Sequence, residues 1–459
     1  MNDVVDVVVD VVVLGMGPGG EAVAGRLAEA GLDVVGIDGT LVGGECPYWG
    51  CVPSKMMIRA ADLLAEARRV PGMAGTADVV PDWTPVARRI RAATDNWDDA
   101  VAVERFESKG GRFVRGTGRL DGPRRVVVGD RGFEARRAVV VATGASPWSP
   151  PIPGLAELAG RTWSNRQAVE ADTLPASMVV LGGGAIGVEL GQLFARFGVE
   201  VAIVEVAPRL LAQEEPEVGA LVADVLRREG LQVRTGAGID AVRHDGGRFA
   251  LALAGEERPL FGDRLLVATG RRPDLAAIGA ASIGVDTSAP ALSVDGRLRV
   301  TDGVWAVGDV TGVGAFTHVA VFQAGIAVDD ILGRRPAPAD YRALPRVTFT
   351  DPEVGSVGLS EEAARRAGLE VRTGYSPLPS SARGWIHQAG NEGFVKLVAD
   401  AGRQVLVGAT SVGPTGGEVL GMLTLAVHAE VPLPTLTRMI YAYPTFHRAI
   451  EPALAELAS

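Results

Sequence analysis

The stretch VVVLGMGPGG, residues 11–20, decides the fold. A β-branched apolar run ends there in a turn with the spacing G-x-G-x-x-G, formed by Gly15, Gly17 and Gly20. In such a turn the first glycine allows a tight bend, the second lets backbone approach a pyrophosphate, and the third lets a helix pack on the strand. A helix is predicted over residues 21–30, and its N-terminus would bind phosphate at the turn.

A second apolar run follows this helix and ends in an acid. Residues 34–37 are predicted to form a strand that ends at Asp38, 23 positions after Gly15. A carboxylate at this position accepts a hydrogen bond from a ribose hydroxyl. Strand, glycine turn, helix, strand and acid together predict a dinucleotide site.

The same pattern occurs again from residue 179. The glycines of the second turn are Gly182, Gly184 and Gly187, a helix is predicted to about residue 197, and a strand over 199–204 ends at Glu205. One such motif is weak evidence in a glycine-rich chain, but two copies in the same context are a specific signal. We expect two dinucleotides, and the obvious pair is a flavin and a nicotinamide dinucleotide.

Three further apolar runs end in glycine, at residues 139–144, 265–270 and, more weakly, 304–308. Continuous Val, Ile and Leu without alternation is typical of strands buried on both faces in parallel sheets. The predicted fold class is therefore α/β, with two Rossmann-like dinucleotide-binding domains. An apolar run at 347–349 and helical stretches after Glu418 predict a further C-terminal domain.

Length and composition agree with this organisation. The chain has 459 residues, and about 150 residues per domain gives about three domains. Its 60 glycines show no three-residue repeat, which excludes collagen, and two cysteines cannot form a disulfide scaffold. Proline-rich residues 149–154 predict a crossover between the nucleotide domains, and residues 334–345 predict a linker to the third domain.

The charge distribution narrows the partners and the location. The net charge is −10, with acids and bases interspersed, which disfavours nucleic acid or an anionic membrane surface as partner. No window contains the roughly 18 uncharged apolar residues that a membrane helix needs. Asp3, Asp6 and Asp10 interrupt the N-terminal apolar run, which argues against a signal peptide. We expect the cytoplasm, where a close cysteine pair is more often catalytic or metal-binding than structural.

Both cysteines lie in GGECPYWGCVPSK, residues 43–55. A regular helix would separate the Cα atoms of Cys46 and Cys51 by about 8.7 Å, whereas a disulfide needs less than about 7 Å. A bridge therefore requires irregular backbone, which Pro47 and Gly50 can supply. Two unpaired core cysteines are one alternative. A metal site is another, although two cysteines without a nearby histidine cannot complete a tetrahedral zinc shell.

This segment resembles the redox-disulfide signature of the pyridine nucleotide–disulfide oxidoreductases, the class I flavoprotein family of dihydrolipoamide dehydrogenase, glutathione reductase and mercuric reductase. The resemblance covers essentially the whole chain. Similar motifs are the ATG sequences at 142–144 and 268–270, the second flavin motif ending in AVGD at 306–309, and the interface-domain motifs TDPEVGSVG at 350–358 and GFVKL at 393–397.

The resemblance implies three domains. Residues 1–150 and 271–340 would bind FAD, residues 151–270 would bind NAD(P)H, and residues 341–459 would form an α+β interface domain of a homodimer with an active site shared between subunits. The contacts with the two cofactors would come from the two turns together with Gly44, Thr143, Gly144, Gly270, Gly308, Asp309 and His318, of which Asp309 would bind the ribityl chain of the flavin.

The resemblance also implies roles at the redox centre. Cys51 would be the charge-transfer thiol against the flavin, and Cys46 the interchange thiol that attacks substrate, with the thiolate as its reactive form. Lys55, one of three lysines among 45 basic residues, would lie beside the flavin and pair with Glu189. A surface helix cation is the alternative for Lys55.

Glu205 bears on the choice of nicotinamide nucleotide. A carboxylate there accepts from a ribose 2′-hydroxyl and repels a 2′-phosphate, so NADH is favoured over NADPH. Arg209 lies close by in sequence and could weaken this preference.

The chain departs from the family near its C-terminus. Where dihydrolipoamide and glutathione reductases carry His-Pro-Thr-x-x-Glu, this chain reads YPTFHR, with Tyr443 at the histidine position and Arg448 at the glutamate position. An unperturbed tyrosine titrates near 10, so it is a poor base but a usable acid. If Pro444 opens a helix, His447 lies on the same side as Tyr443 and Glu451 could orient its imidazole. The alternative is that His447 packs or caps locally.

Two further departures concern the substrate. Mercuric reductases also place a tyrosine in this region but carry a C-terminal cysteine pair, which residues 455–459 lack, so a dedicated mercuric reductase is disfavoured. Tyr48 and Trp49, between the cysteines, indicate a reshaped substrate pocket or core packing.

The sequence thus predicts an FAD-dependent NAD(P)H:disulfide oxidoreductase. Electrons would pass from NADH to FAD, to the Cys46–Cys51 disulfide and to a small-molecule or protein disulfide, as in dihydrolipoamide dehydrogenase, with Tyr443 or His447 of the other subunit handling the proton. The alternatives are reduction of a metal ion or quinone at the same centre, and a non-enzymatic flavin redox sensor.

Overall fold

The computed structural model describes residues 5–458, so Asp3 lies outside the described part. The strands of this part are β1 (Val5–Leu14), β2 (Val34–Asp38), β3 (Arg112–Arg115), β4 (Gly118–Leu120), β5 (Arg125–Val128), β6 (Arg131–Val141), β7 (Ser146–Pro147), β8 (Ser177–Leu181), β9 (Glu200–Glu205), β10 (Gln232–Thr235), β11 (Ile239–Asp245), β12 (Arg248–Leu253), β13 (Leu260–Gly262), β14 (Arg264–Val267), β15 (Arg271–Arg272), β16 (Arg299–Thr301), β17 (Val304–Ala306), β18 (Pro345–Thr348), β19 (Glu353–Gly358), β20 (Val371–Pro377), β21 (Phe394–Asp400) and β22 (Val405–Gly413).

The α-helices are α1 (Pro18–Glu29), α2 (Glu45–Tyr48), α3 (Cys51–Arg69), α4 (Thr84–Ala93), α5 (Ala100–Glu107), α6 (Asn165–Glu170), α7 (Ala185–Arg196), α8 (Pro216–Arg228), α9 (Thr317–Ile331), α10 (Glu361–Arg366), α11 (Ala382–His387), α12 (Gly416–His428), α13 (Leu433–Thr437) and α14 (Ile450–Ala458). Short 3-10 turns occur at Ala156–Leu158, Ala280–Ile283, Asp309–Thr311 and Phe446–Ala449. Each strand and helix predicted around the two glycine turns is present. Strand β1 begins at Val5, six residues before the predicted run, and the other ends differ from the prediction by at most three residues.

The chain divides into two compact units. Unit 1 comprises the residues up to Ser54 together with Arg88–Trp148 and Gly270–Asp340. Unit 2 comprises Lys55–Ala87, Ser149–Thr269 and the residues from Tyr341 onward. Unit 2 therefore contains both the predicted NAD(P)H domain and the predicted interface domain, and the division into three domains stays a prediction.

Unit 1 is built on a sheet with the order β16-β17-β6-β1-β2-β3, in which the pairs from β17 to β3 are parallel. Alternate residues of the central strands face opposite cores. Val11, Val13 and Val140 pack with helices on one side, and Val12 and Val139 belong to the core on the other. Burial on both faces explains why these strands read as continuous apolar runs.

Unit 2 contains a parallel sheet with the order β10-β9-β8-β14. The antiparallel strands β11, β12 and β13 cover one face of it, where Phe249 and Leu251 share a core with Val179 and Leu265. Strand β8 of this sheet, the glycine turn after it and helix α7 form the strand–turn–helix unit predicted from the second glycine motif.

Unit 2 also contains an antiparallel sheet with the order β18-β19-β22-β21-β20. Its core packs against α12 and α14 through residues such as Leu397, Leu423 and Leu454. Lys396 of β21 is buried and bonds to Glu215, Glu217 and Glu361 at 2.8–3.0 Å. These ion pairs give Lys396 a structural role, and the sheet confirms the predicted α+β C-terminal region.

A left-handed turn separates α4 from α5. Asp95, Asn96 and Trp97 have φ angles of 48°, 52° and 60°. The left-handed conformation costs an L-residue about 1–2 kcal/mol, so three in succession are unusual. The turn is closed by hydrogen bonds from the Trp97 amide to the Thr94 carbonyl (2.8 Å) and from the Asp98 amide to the Asp95 carbonyl (3.1 Å).

Candidate active site

The first glycine turn has the shape that a dinucleotide needs. Gly15 has φ 94°, and a Cβ there would lie 2.4 Å from the Ala142 carbonyl oxygen. A Cβ on Gly20 would lie 2.0 Å from the Gly15 oxygen, whereas nothing lies within 4 Å of a Cβ on Gly17. Gly15 and Gly20 are thus required by the fold, while Gly17 leaves open space at the N-terminus of α1, where a phosphate can bind.

Asp38 holds this turn from the end of β2. One carboxylate oxygen accepts from the Met16 amide at 2.7 Å, and the other accepts from the Thr40 amide at 2.6 Å. Each carboxylate oxygen has two acceptor sites. The side chain can therefore accept from a ribose hydroxyl as well, and the residues of this turn fit an FAD.

The second glycine turn repeats the first in unit 2. Gly182 has φ 103°, and its Cβ would lie 2.4 Å from the Ala268 carbonyl oxygen. A Cβ on Gly187 would lie 2.0 Å from the Gly182 oxygen, and nothing lies within 4 Å of a Cβ on Gly184. The open position again faces a helix N-terminus, that of α7, so the residues fit a second dinucleotide.

Glu205 occupies the position that Asp38 holds in the first turn. Its carboxylate accepts from the Gly183 amide at 2.6 Å and from the Ala207 amide at 2.7 Å. The Arg209 guanidinium donates to the carbonyls of Ala212 (2.9 Å) and Glu214 (3.3 Å). Arg209 is thus engaged with backbone in this structure, and Glu205 remains the charged group of the turn.

The backbone between the two cysteines is irregular, as predicted for a pair that can form a disulfide. Cys46 lies in α2, which ends at Tyr48, and Cys51 is the first residue of α3. Cys46 and Cys51 are not joined by a disulfide in the structure, so both are thiols. A hydrogen bond with Cys51 and partial burial raise the pKa of Cys46 well above its usual range. The two thiols therefore influence each other's ionisation.

Thr317 adds a hydroxyl to this thiol pair. Its Oγ1 lies 3.5 Å from Cys51 Sγ, and its hydrogen bond with Cys46 opposes the rise in the pKa of that thiol. Thr317 begins the 15-residue helix α9, whose N-terminus favours nearby negative charge. Thr317 is not among the predicted site residues, although its neighbour His318 is a predicted cofactor contact.

The cysteine segment is tied to the first glycine turn. The Gly43 amide donates to the Met16 carbonyl at 2.7 Å. Gly44 has φ 65°, and a Cβ there would lie 2.9 Å from Gly17 Cα. A side chain at Gly44 would intrude on the open space beside Gly17, so the thiol pair lies next to the place predicted for the flavin nucleotide.

Asp309 lies in a 3-10 turn of unit 1. Burial raises its pKa, and Arg271 opposes the rise, while Glu45 and Cys51 add to it. The guanidinium of Arg271 lies 3.6 Å from the Glu45 carboxylate. Glu45 precedes Cys46 directly, so a charged group that sequence analysis did not assign stands beside the thiol pair.

Five further residues of the predicted cofactor sites, Thr143, Gly144, Gly270, Gly308 and His318, lie in unit 1. Thr143 and Gly144 follow β6 and Gly270 precedes β15, with φ angles of 67° at Gly144 and 112° at Gly270. Gly308 has φ 83°. His318 is exposed, and its ring stacks on Phe316 with centroids 5.1 Å apart. Their contacts with a cofactor stay predictions.

Lys55 and Glu189 are brought together in unit 2. The Lys55 ammonium lies 2.7 Å from the Glu189 carboxylate, which is 6% exposed. Glu189 also accepts from the Phe349 amide at 2.8 Å, and the ammonium lies 4.7 Å from the centre of the Phe349 ring. Lys55 is therefore not a solvated surface cation. Phe349, which sequence analysis did not single out, precedes the TDPEVGSVG motif.

Pro444 does not open an α-helix in the structure. Thr445 caps a 3-10 turn over Phe446–Ala449 instead, with its hydroxyl accepting from the Arg448 amide at 3.2 Å. Tyr443 precedes the turn, is 68% exposed, and has the Arg448 guanidinium 5.2 Å from its ring centre.

His447 and Glu451 take different partners in this structure, so of the two alternatives for His447 the structure shows local packing. His447 Nε2 lies 3.1 Å from Met422 Sδ, and its ring centre lies 5.2 Å from that of Tyr441. Glu451 instead pairs with Arg448 at 3.0 Å. The reason is the 3-10 turn, which places Arg448 rather than His447 within reach of Glu451. Burial lowers the pKa of His447.

The two aromatic residues between the cysteines belong to the core. Tyr48 is 7% and Trp49 is 8% exposed, and their ring centres lie 5.8 Å apart. This supports core packing over a reshaped substrate pocket.

Two glycine turns that fit dinucleotides, together with a thiol pair joined to the first of them, define a redox protein of the two-nucleotide α/β class. Comparison with known families agrees. The family described as pyridine nucleotide-disulphide oxidoreductase matches residues 9–324, and the dimerisation domain of the same family matches residues 344–454. The chain belongs to the pyridine nucleotide–disulfide oxidoreductase family.

Relatives of this chain include a dihydrolipoyl dehydrogenase and a mercuric reductase. A dihydrolipoyl dehydrogenase from Chlorobaculum tepidum is 34% identical over 454 residues, which cover 97% of this chain and 96% of that protein. A mercuric reductase from Staphylococcus aureus is 30% identical over 448 residues, 96% of this chain and 81% of that protein.

Solved structures are similar over nearly the whole chain. The Cu(II) complex of the HOCl-induced flavoprotein disulfide reductase RclA from Escherichia coli has a TM-score of 0.85 at 25% identity and covers 97% of this chain and 99% of its own. LpdA from Mycobacterium tuberculosis has a TM-score of 0.84 at 26% identity, with 98% and 99% covered. The protein is therefore an oxidoreductase of the FAD-dependent flavoprotein disulfide reductases. Within residues 5–458, no helix is both long and apolar enough to span a membrane.

Proposed function

We propose that this enzyme is an FAD-dependent, NADH-preferring disulfide reductase that works through Cys46 and Cys51. The observation that carries the proposal is that both cysteines lie on one segment that is bonded to the first glycine turn, with the Thr317 hydroxyl 3.5 Å from Cys51 Sγ. Bound NADH and FAD would supply the two electrons that reduce the Cys46–Cys51 disulfide. The turn of Gly15, Gly17, Gly20 and Asp38 would hold FAD, and that of Gly182, Gly184, Gly187 and Glu205 would hold NADH.

The chain's own thiols would carry out the reaction with substrate. The Cys46 thiolate attacks one sulfur of the substrate disulfide, so a mixed disulfide forms and one substrate thiolate leaves and takes a proton. Cys51 then attacks Cys46 Sγ, which re-forms the Cys46–Cys51 disulfide and releases the second substrate thiol. Two electrons and two protons thus convert one disulfide to two thiols.

Because Cys46 loses a proton and the leaving substrate thiolate gains one, the reaction calls for a group that handles this proton. We infer that the group comes from the second subunit of a homodimer in the cytoplasm, as Tyr443 or His447. Exposure and position favour Tyr443 as the group that meets substrate and protonates the leaving thiolate. His447 faces Met422 and Tyr441 of its own subunit, which supports a packing role.

Anaerobic titration with NADH tests the electron path. The expected result is a long-wavelength thiolate–flavin charge-transfer band after two electrons. The band should be absent in Cys51→Ser, whereas Cys46→Ser should show it before NADH is added, because its Cys51 cannot form the disulfide, and lose it when NADH reduces the flavin. Normal flavin reduction without this band in the wild type would contradict the disulfide path.

Rapid-reaction kinetics of the reduced enzyme with a disulfide test the proton assignment. Tyr443→Phe is expected to slow re-oxidation and change its pH dependence, and His447→Gln to leave the rate nearly unchanged. Equal rates in both variants and the wild type would show that neither residue handles the proton.

Reduction of a metal ion at the same thiols is the second candidate. A mercuric reductase among the relatives and the Cu(II) complex of RclA favour it, and a metal substrate needs no acid at the Tyr443 position. A substrate panel of disulfides, quinones, Hg²⁺ and Cu²⁺ under NADH distinguishes these activities. Steady turnover with any of them rules out a non-enzymatic redox sensor.

A further inference from the structure

The segment Thr94–Asp99 contacts the cysteine segment on both sides of Cys46. The indole Nε1 of Trp97 donates to the carbonyl oxygen of Tyr48 at 3.2 Å. The carboxylate of Asp99 accepts from the Val42 amide at 2.6 Å. Trp97 and Asp99, which are two positions apart in the sequence, thus bond to Tyr48 and Val42. Cys46 lies between these two residues in the chain.

Each contact satisfies a backbone group that would otherwise lack a partner. Tyr48 is the last residue of α2, where carbonyls have no partner within the helix. Val42 is fully buried, and Asp99 is 7% exposed. Asp99 is held in turn by the Arg115 guanidinium, which bonds to both of its carboxylate oxygens.

The left-handed turn aims these two side chains. Asp95, Asn96 and Trp97 all have positive φ, a conformation that persists in non-glycine residues only where the surroundings hold it. Asp95 and Asn96 are exposed, so their own packing does not account for the turn. The hydrogen bonds that join Trp97 to Tyr48 and Asp99 to Val42 hold the turn in this conformation.

We propose that Trp97 and Asp99 are positioning residues that hold Cys46 against Cys51 and thereby set the stability of their disulfide. We call residues 94–99 the clamp. A C-x4-C pair needs its two Cα atoms closer than a regular helix allows, and the clamp holds the chain before and after Cys46 so that this close approach is kept. Because it confines Cys46, it raises the effective concentration of one thiol at the other. This inference rests on the proposed disulfide chemistry.

The test is equilibration of the holoenzyme with glutathione buffers of defined ratio, followed by alkylation and mass spectrometry. The two protein thiols lose two electrons and two protons as one oxidised glutathione becomes two reduced molecules. Trp97→Phe keeps a ring but removes the N–H donor. We expect it to lower the equilibrium constant for disulfide formation about tenfold, equivalent to about +30 mV in potential.

Trp83→Phe is the matched control. The Trp83 indole donates to the Ala171 carbonyl at 2.8 Å, and the residue is 8% exposed, but both residues lie in unit 2. We expect Trp83→Phe to leave the equilibrium constant unchanged. An equal shift in both variants, or no shift in Trp97→Phe, would overturn the clamp.

A second pair of variants guards against misfolding of Trp97→Phe. Asp99→Ala removes the acceptor for the Val42 amide, whereas Asp99→Asn retains one. We expect Asp99→Ala to shift the equilibrium and Asp99→Asn to restore most of it. The alkylation rate of Cys46 in the reduced enzyme should follow the same order, fastest in Asp99→Ala, and an unchanged rate would contradict the clamp even if no disulfide forms. A wild-type pair that stays reduced at every ratio would contradict the proposed disulfide chemistry instead.

Discussion

The Lys55 ammonium and the Glu189 carboxylate form an ion pair of 2.7 Å, and the same carboxylate accepts from the Phe349 amide. The Glu189 side chain is 6% exposed, while that of Lys55 is 33% exposed. The buried carboxylate therefore needs the ammonium group to replace its lost contacts with water. The pair links helices α3 and α7 to the start of the C-terminal sheet region within unit 2.

Replacing Glu189 by Gln is therefore expected to lower the free energy of unfolding by about 1–3 kcal/mol, because the charged hydrogen bond is lost while a neutral acceptor remains for Phe349. Chemical denaturation followed by circular dichroism measures this. Glu66→Gln is the control, since Glu66 is 58% exposed in its pair with Arg69 and should cost no more than about 0.5 kcal/mol. Equal losses in both variants would contradict a buried role for Glu189.

Gly184 and Gly187 should respond differently to alanine. Gly187→Ala places a Cβ 2.0 Å from the Gly182 carbonyl, so we expect it to destabilise the protein by at least about 1–3 kcal/mol. Gly184→Ala meets nothing within 4 Å and should leave the melting temperature nearly unchanged. Its methyl group occupies the space predicted for phosphate, so the Kd for NADH should rise about tenfold. Calorimetric NADH binding equal to wild type in Gly184→Ala would mean that no nucleotide approaches this turn.

Glu205 is expected to set the nucleotide preference. Glu205→Gln keeps one acceptor for the Gly183 or Ala207 amide and removes the charge that would repel a 2′-phosphate. The ratio of kcat/KM for NADH to that for NADPH should fall about tenfold, or about 1.4 kcal/mol. Glu200→Gln, at the exposed start of the same strand, should leave the ratio unchanged. If the preference for NADH over NADPH remained in Glu205→Gln, groups other than Glu205 would be responsible for it.

Because of His447, the free energy of unfolding should decrease in mild acid. Burial lowers its pKa below the ordinary 6.5, so the unfolded chain binds the proton more readily than the folded one. The free energy of unfolding is then full above pH 6.5 and decreases as the pH falls from 6.5 toward the lower folded value. His447→Gln should flatten this part of the profile, while Met422→Leu, which keeps the site apolar, should retain it. Identical profiles for His447→Gln and the wild type would show that His447 titrates alike in both states.

The local features of the fold could be predicted from the sequence because short-range sterics control them. Gly15 and Gly182 adopt positive φ at the ends of buried strands, as the glycine spacing predicted. The helices and strands around both turns are present. The irregular backbone between Cys46 and Cys51 also follows from residues within that segment.

Near the C-terminus the sequence left two alternatives open, and the structure has the one in which His447 packs locally. Pro444 is compatible with a helix start, but the Thr445 hydroxyl caps a 3-10 turn one residue later. Arg448 then takes Glu451 as its partner, and His447 packs against Met422. Spacing alone does not reveal which of two neighbouring side chains reaches a given carboxylate.

By itself the sequence determined the two dinucleotide turns, the thiol pair and the α/β class, since each depends on residues within about 25 positions of one another. The tertiary structure alone decided the contacts that tune the thiols. Thr317 reaches Cys51 across 266 positions and Trp97 reaches Tyr48 across 49. Such contacts depend on how strands and helices pack around a shared core, and no local pattern encodes the distance between side chains that only packing brings together.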